Sequence, residues 1–423
     1  MLSKKLALKL FEAFSIERWN DQIRPFEMIE MDKSAEKMVL AYIIGKYEEN
    51  AGHEIDWDWM IYASFFELLK KIALCDIKSP VQRMIRTEYP EEYKKLNNWV
   101  LSQYESVIED QELLDKFKDY ILGKDLKGKN AQETAAIKNA GRVLRAAHKY
   151  SAMREFEMLS VVNEPFRIRN IEKQLNEDIQ EFLDLRGLQL LITKQKPYEF
   201  LMIIEQLRFQ TRWNQTPRVP KTSVLGHCYY VAVLTLLLGR QSNVKMCRNR
   251  LYNNFFSALF HDLPEAVTRD IISPVKQATD ELPSIVKKIE DEIVRKELLP
   301  LMEPFFADEL IYFTSDEFEN RIVLPVPADK KSAEKTSKYA YTLEHVSFED
   351  LNTKFNEEKY CPVDGKLVRC ADHISAFIEA DSSIKFGITS SHLREGRDNI
   401  RKHYEGKGIV NGVNPSAFFE LFE

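Results

Sequence analysis

Potential metal ligands stand at three places in the second half of the sequence. His227 comes first, the pair His261-Asp262 follows, and Asp372 is the last in chain order. Imidazole nitrogens and carboxylate oxygens are ligands for divalent ions such as Mn²⁺, Co²⁺, Fe²⁺ and Zn²⁺. The residue types therefore suggest a metal site, provided that the fold brings them together.

A His-Asp pair by itself is weak support for a metal site, because a solvated pair at a helix end is commoner. Neighbouring residues strengthen the case for a metal site. Glu265 follows Asp262 by three residues, one helical turn away if helix continues, within reach of a metal-bound water. Upstream, Arg212 offers a guanidinium of the kind that clamps phosphate through two hydrogen bonds.

The residues near the potential ligands also have ordinary structural interpretations. Arg212 alone would suit a surface ion pair, and Trp213 alone would suit the core. Asp270 would cap a turn, and Thr222 or Ser223 would cap a helix. Only their common order along the chain favours the functional interpretation.

In that order, the residues resemble the HD-domain phosphohydrolases, and most closely the bacterial 5′-deoxynucleotidase branch. That branch has Arg-Trp before the first metal histidine, then His-Asp-x-x-Glu, Gly-Asp and Pro-Val-Lys, and a final Asp. The resemblance covers about residues 200–380. It implies one divalent ion (Mn, Co, Fe, Zn or Mg) held by His227, His261, Asp262 and Asp372.

The resemblance also implies roles around that ion. Glu265 would orient or deprotonate the attacking water, with Asp262 beside it at the reacting centre. Arg212 would bind phosphate, Trp213 would pack on the sugar or base, and Asp270 would accept a sugar hydroxyl, while Lys276 would add positive charge.

Two positions depart from the branch. Gly226 precedes the first histidine where the branch carries an acidic residue, and Arg269 stands where a glycine precedes the aspartate. Arg269 places another cation near the pocket, which favours a substrate with more phosphates than a monophosphate.

Helices must position these side chains. Apolar residues recur at three-to-four spacing in long stretches, and glycine and proline are sparse. The fold class is therefore predicted to be all-α, with one short strand at Ile322–Val326. The clearest helical stretches are Ala35–Glu49, Trp57–Leu74, Ile171–Arg186 and Ile285–Leu299.

An internal repeat divides the chain. Arg18-Trp19-Asn20 recurs 194 positions later as Arg212-Trp213-Asn214, and the same offset relates Gly45 to Gly239 and Asp76 to Asp270. A further pair, His148 and Asp372, is 224 positions apart. The extra residues match a polar excursion at about 314–365 that the first copy lacks. We predict two tandem HD-type domains, a degenerate one at 1–195 and a catalytic one at 196–423.

The first copy has lost the metal ligands. The offsets relate His227 to Lys33, His261 to Glu67, Asp262 to Leu68, Glu265 to Lys71 and Asp372 to His148. Two hypotheses follow. The first copy is either a structural substitute for a homodimer partner, or a regulatory nucleotide pocket. The pocket would be formed by Arg18, Trp19, Lys33, Lys71 and Asp76.

Composition excludes some classes of protein. A net charge of −6 argues against a broad nucleic-acid surface. The longest apolar run is too short to span a bilayer, and the five cysteines lack a CxxC pair, as expected of reduced thiols in the cytoplasm. We therefore expect a cytoplasmic protein that forms an intramolecular pseudo-dimer and is open to further homo-oligomerisation.

The sequence thus predicts a metal-dependent phosphohydrolase of nucleotides. The first substrate class is deoxynucleoside 5′-monophosphates, with phosphate as product. One alternative is a deoxynucleoside triphosphohydrolase that controls nucleotide pools, regulated by nucleotide binding in the first copy. The other is a non-catalytic nucleotide-binding regulator.

Overall fold

The fold is built almost wholly of helices. The computed structural model describes residues 2–242, 244–269, 279–325 and 341–422. Within them, helices are joined by short connections and one small sheet. The predicted α class is confirmed.

The chain forms two compact units. The first comprises Met1–Arg212 with Pro220–His227, and the second comprises Trp213–Val219 with Cys228–Glu423. The predicted division at residue 195 rests on the repeat rather than on compactness, and it stays a prediction.

The helices of the first unit account for most of its residues. They are α1 (Lys4–Phe11), α2 (Glu30–Asn50), α3 (Trp57–Leu74), α4 (Ser79–Glu88), α5 (Pro90–Ser102), α6 (Gln111–Ile121), α7 (Ala131–Ser160), α8 (Pro165–Gln180), α9 (Arg186–Ile192) and α10 (Lys196–Phe209). A 3₁₀ turn, Glu12–Ser15, follows α1.

Helix α2 is the centre of this unit. It packs against α3, α7, α9 and α10, and nearly all its side chains are buried, including charged ones. Because it is surrounded, its apolar residues need not form a single stripe. The long helix α7 beside it begins with a capping box, in which Asn130 and Glu133 satisfy each other's backbone N–H groups.

The second unit continues the helical pattern. Its helices are α11 (Val224–Gln241), α12 (Arg248–Phe260), α13 (Glu265–Thr268), α14 (Leu282–Ile293), α15 (Pro304–Thr314), α16 (Phe348–Thr353), α17 (Gly365–Lys385), α18 (Ser391–Tyr404) and α19 (Pro415–Glu420). A π-helical segment, Val294–Leu298, extends α14, and 3₁₀ turns occupy Leu299–Leu301 and Glu358–Tyr360. Helix α12 packs against α15 and α17.

A three-stranded antiparallel sheet lies within the predicted polar excursion. Its strands β1 (Asn320–Pro325), β2 (Tyr341–His345) and β3 (Val363–Asp364) have the order β2-β1-β3. Ile322 pairs with Glu344, and Arg321 pairs with Val363. The predicted strand at Ile322–Val326 is confirmed up to Pro325. The excursion is more than a surface loop, because Ile322, Leu351 and Val363 are fully buried.

Local backbone features recur at the predicted repeat offset. Isolated bridges join Glu17 to Ile29 and Thr211 to Ser223, and each pair of equivalent residues is 194 positions apart. Trp19 and Trp213 both have positive φ, 54° and 53°. Helices α2 and α11 also begin at equivalent residues, Glu30 and Val224. Short sequence identities are thus accompanied by similar local conformations, which supports the tandem repeat as a proposal.

Two further observations concern membrane-spanning helices and disulfides. No described helix is long and apolar enough to cross a membrane. None of the five cysteines forms a disulfide.

Candidate metal centre

Helix α11 carries the first predicted ligand. The side chain of Ser223 caps its start by accepting a hydrogen bond from the N–H of Gly226 at 2.9 Å. His227 therefore lies within the first turn of the helix. Its side chain is fully buried.

Helix α12 delivers the second and third ligands at its C-terminal end. His261 follows Phe260 as the C-cap residue. Its Nδ1 lies 2.7 Å from the carbonyl oxygen of Ala258. Because a carbonyl only accepts, Nδ1 carries the proton and Nε2 presents its lone pair. A backbone carbonyl often fixes the tautomer of a metal-binding histidine in this way.

Three of the four predicted ligands come together. One ligand atom each from His227, His261 and Asp262 lies within 4.8 Å of the others, and Nε2 of His261 is 3.3 Å from Oδ2 of Asp262. Two imidazoles and a carboxylate suit a borderline divalent ion, which would supply Lewis acidity and an activated water when bound. The donor set and its spacing therefore fit a resident metal.

Asp372 lies outside this three-residue set. It is half-buried on α17. Its role as the fourth ligand stays a prediction.

A single helical turn follows the ligands. The N–H of Glu265 donates to the carbonyl oxygen of Asp262 at 3.0 Å, and the N–H of Arg269 donates to that of Glu265 at 2.8 Å. Glu265 is buried, whereas Arg269 is exposed. The turn thus keeps the predicted base close in sequence and space to Asp262. Asp270 and Lys276 lie outside the described residues.

The Arg-Trp segment contains a turn in which Trp213 has a positive φ of 53°. The N–H of Arg212 donates to the carbonyl of Thr222 at 3.0 Å, and its side chain is half-buried. The indole N–H of Trp213 donates to Oε2 of Glu379 at 2.8 Å. A Cβ at Gly396 would lie 2.6 Å from the Trp213 ring, so glycine leaves room for the indole.

Glu379 was missed by sequence reasoning, although a signal existed. The indole N–H of Trp19 donates to Oε2 of Glu155, also at 2.8 Å, and Glu155 and Glu379 are 224 positions apart. That is the offset between His148 and Asp372. Extending the repeat by seven residues would have identified both glutamates.

The residues of the predicted regulatory pocket have different environments. Arg18 is buried and bonds Glu155 and Glu30, each at 2.9 Å. Burial alone would raise the pKa of Glu155, but Arg18 and Arg208 hold it well below the usual range. Lys33 is also buried, whereas Trp19, Lys71 and Asp76 are partly exposed. Arg18 and Trp19 therefore already have a common acidic partner inside the first unit.

Known proteins match part of this chain. No curated protein matches the sequence. One structural match is a crystal structure described as an HD-domain phosphohydrolase from Listeria innocua. Its TM-score is 0.34 at 16% identity, and it covers 51% of this chain and 82% of that chain.

The family comparison includes the whole proposed metal centre. The model of the HD domain matches residues 204–401, a range that contains all four predicted ligands and is close to the expected 200–380. The 5′-deoxynucleotidase branch stays a prediction. The similarity to the HD domain thus extends over residues 204–401 of this chain.

Proposed function

We propose that the HD domain is a metal-dependent phosphohydrolase of nucleotides, acting first on deoxynucleoside 5′-monophosphates. The observation that supports it most is the meeting of His227, His261 and Asp262 within 4.8 Å. Arg212 would bind the phosphate, and Glu265 would take a proton from the attacking water. Asp372 would complete the ligand set.

The reaction needs positive charge at a crowded phosphate. A phosphate monoester repels nucleophiles through its own oxygens, so a dication and a guanidinium lower the barrier by neutralising them. Burial of His227 and Glu265 keeps the site partly dry, which strengthens such interactions. The donors on α11, α12 and α13 are held by helices, which favours a pre-organised site.

A deoxynucleoside triphosphate is the second candidate substrate. It is favoured by Arg269, an exposed cation one turn beyond Glu265. Additional phosphates would reach this guanidinium, whereas a monophosphate would not.

A nucleotide panel with Mn²⁺ or Co²⁺ tests the proposal. Release of inorganic phosphate identifies a nucleotidase, and release of tripolyphosphate or pyrophosphate identifies a nucleotide hydrolase. Asp262→Ala should abolish release, while Asp280→Ala, an exposed aspartate in the same domain, should retain it. Absence of any product would overturn the hydrolase and favour the non-catalytic regulator.

For the first copy, we propose a structural role as an internal substitute for a homodimer partner. Positions 32 and 226 are equivalent by the repeat offset, and a Cβ at Gly226 would lie 2.6 Å from Oδ1 of Asp32. Contact between equivalent positions is what a two-fold axis produces in a homodimer. This single contact supports the pseudo-dimer.

A further inference from the structure

The first unit has basic side chains at the repeat positions of the proposed metal centre. Lys33, Lys71 and His148 occupy the repeat positions of His227, Glu265 and Asp372. The charges around these three side chains point to an anionic ligand.

Helical geometry places Lys33 on α2 opposite Lys71 on α3. Lys33 and Lys37 are one turn apart on α2, and Glu67 and Lys71 are one turn apart on α3. The two helices pack together and are joined by only residues 51–56, so they run antiparallel. Since Nζ of Lys37 bonds Oε2 of Glu67 at 2.7 Å, Lys33 and Lys71 face each other one turn further on.

Helix α7 contributes the third group. Nζ of Lys33 donates to the carbonyl oxygen of His148 at 3.0 Å, which ties α7 to this level of α2. Burial, and then the charges of Lys33, Lys37, Lys71 and Arg18, hold the pKa of His148 well below its usual range. The imidazole is therefore close to several positive charges.

The nearby carboxylates form ion pairs with some of these cations and not with others. Glu30 and Glu155 bind Arg18, and Glu67 binds Lys37. Within the described part of the chain, neither the ammonium of Lys71 nor the ring of His148 has a hydrogen bond. The charge of Lys71 acts on the carboxyl groups of Glu30 and Asp76, and Asp76 bonds no cation within the described residues.

We propose that Lys33, Lys71 and His148 form a binding site for the phosphate group of a small anion. Two ammonium groups and an imidazole converge from three helices, which suits a tetrahedral oxyanion with several acceptor oxygens. Burial lowers the pKa of Lys33, and a bound anion would favour its charged form. Arg18 and Trp19, which bind Glu155, lie outside this site.

The test uses the full chain with Arg212→Ala and Asp262→Ala, in chelator, so that the HD domain binds neither metal nor phosphate well. Calorimetric titration with inorganic phosphate, tripolyphosphate and a deoxynucleoside triphosphate should show saturable binding. Adding Lys71→Ala should weaken it by about ten-fold or more, since a charged hydrogen bond contributes about 1.5–3 kcal/mol.

Lys70→Ala is the matched control. It removes the same charge one residue away, but the ammonium of Lys70 bonds Tyr93 and Asn97, each at 3.0 Å, so binding should change less than about two-fold. His148→Gln gives a second variant that removes the imidazole. Equal binding by the Lys70→Ala and Lys71→Ala proteins, or no binding of any of the three anions, would overturn the proposal.

The three ligands also identify the source of the phosphate group. Equal affinity for tripolyphosphate and the nucleoside triphosphate would mean that the site recognises phosphate alone. Tighter binding of the nucleotide would mean that neighbouring residues also contact the nucleoside. Either result supports the site, and neither depends on hydrolysis by the HD domain.

Discussion

Arg269 has a backbone conformation that side chains rarely adopt. Its φ is 65° and its ψ is 159°, a region almost restricted to glycine that costs about 1–3 kcal/mol. Cys75, at the equivalent repeat position, has a similarly unusual φ of 53° and ψ of −152°. The glycine expected from the resemblance is thus explained by the conformation, which persists here without it.

Substitutions of Arg269 should separate the effect of its backbone strain on stability from the effect of its charge on hydrolysis. Arg269→Gly should raise the free energy of unfolding by about 1 kcal/mol, because relief of strain exceeds the added chain entropy of glycine. It should also reduce hydrolysis of triphosphates relative to monophosphates. Denaturant unfolding and the ratio of kcat/KM values measure the two effects.

Arg269→Lys is the control for that prediction. It keeps both the strained conformation and the positive charge, so stability should stay within about 0.5 kcal/mol. A loss of stability in the glycine variant would contradict the assignment of strain.

Gly226 departs from the resemblance for a spatial reason. A side chain there would meet Oδ1 of Asp32 at 2.6 Å and Cε1 of Phe14 at 2.9 Å. An acidic residue would also bring a second carboxylate against Asp32, which costs energy in a buried place. The space for a side chain at position 226 is therefore already filled.

Asp32 makes the stability of the first unit depend on pH. Burial raises its pKa to about 6, although Arg208 and a hydrogen bond from Ser223 act in the opposite direction. The folded state therefore holds the proton more tightly than the unfolded state. Stability falls as pH rises from about 4 to about 6, and the loss persists above that range.

Asp32→Asn should remove this loss. The variant should exceed the unsubstituted protein in unfolding free energy by about 2 kcal/mol at pH 8, and the difference should vanish near pH 4. Asp115→Asn, at an exposed site, should show no such trend. A difference for Asp32→Asn that is the same at both pH values would exclude the linkage.

At the scale of elements, one polar network connects two ligand-bearing helices. Arg250 and Asn254 lie on the same face of α12 as Ser257 and His261, at spacings of one helical turn. Asp364 accepts two hydrogen bonds from Arg250 at 2.7 Å and one from Asn254 at 2.8 Å. It immediately precedes α17, the helix of Asp372.

The network is buried and extends to the C-terminal region. Asn411 donates to Oδ1 of Asp364 at 3.2 Å and to Oδ1 of Asn320 at 2.8 Å. All three residues are buried. Such a satisfied network favours one arrangement of its helices, so it would fix the position of α17 against the His261 end of α12.

Asp364→Asn should therefore disturb the metal centre as well as the fold. Leaving Arg250 buried without a counter-ion should cost about 3 kcal/mol or more. The bound Co²⁺ should show an altered visible absorption spectrum and at least about ten-fold weaker binding, as when a metal site loses supporting contacts. Both are measured by direct titration.

Glu205→Gln provides a destabilised control without that connection. Arg154 makes two buried hydrogen bonds to Glu205, at 2.8 and 2.9 Å, and also pairs with Glu157. Loss of the Glu205 carboxylate should therefore cost stability without leaving Arg154 unpaired. The Co²⁺ spectrum should be unchanged. Equal spectra for the Asp364→Asn and Glu205→Gln proteins would show that the network supports folding alone.

At the scale of the molecule, metal should stabilise α11 and α12 more than α2 and α3. A ligand at about one hundred times its Kd stabilises a protein by about 2.7 kcal/mol. Mn²⁺ should therefore slow hydrogen exchange in α11, which carries His227, and in α12, which His261 and Asp262 directly follow. Exchange in α2 and α3 should change little, because lysines replace ligands there.

His261→Ala should remove this protection, since one of the two imidazoles is lost. Equal slowing of exchange in α2 and α3 would instead reveal a metal site in the first unit. The comparison is made by mass spectrometry of the same protein with and without the ion.

The sequence by itself predicted the helical class, the similarity to the HD domain and three side chains that come together. Periodicity of apolar residues produces helices such as Trp57–Leu74, which the structure has with the same bounds. Motif order was enough for His227, His261 and Asp262 because helices hold them in fixed directions. The proposed repeat was visible because short identities recur at one constant offset.

Only the tertiary structure decided how distant polar groups are paired. Nothing near Arg250 in sequence predicts Asp364 as its partner, and the pairing of Trp213 with Glu379 joins residues far apart in the chain. Burial also depends on the whole fold, which is why Lys33 and Asp32 are enclosed despite their charge. Local pattern specifies helices and their chemistry, whereas packing specifies which charges meet.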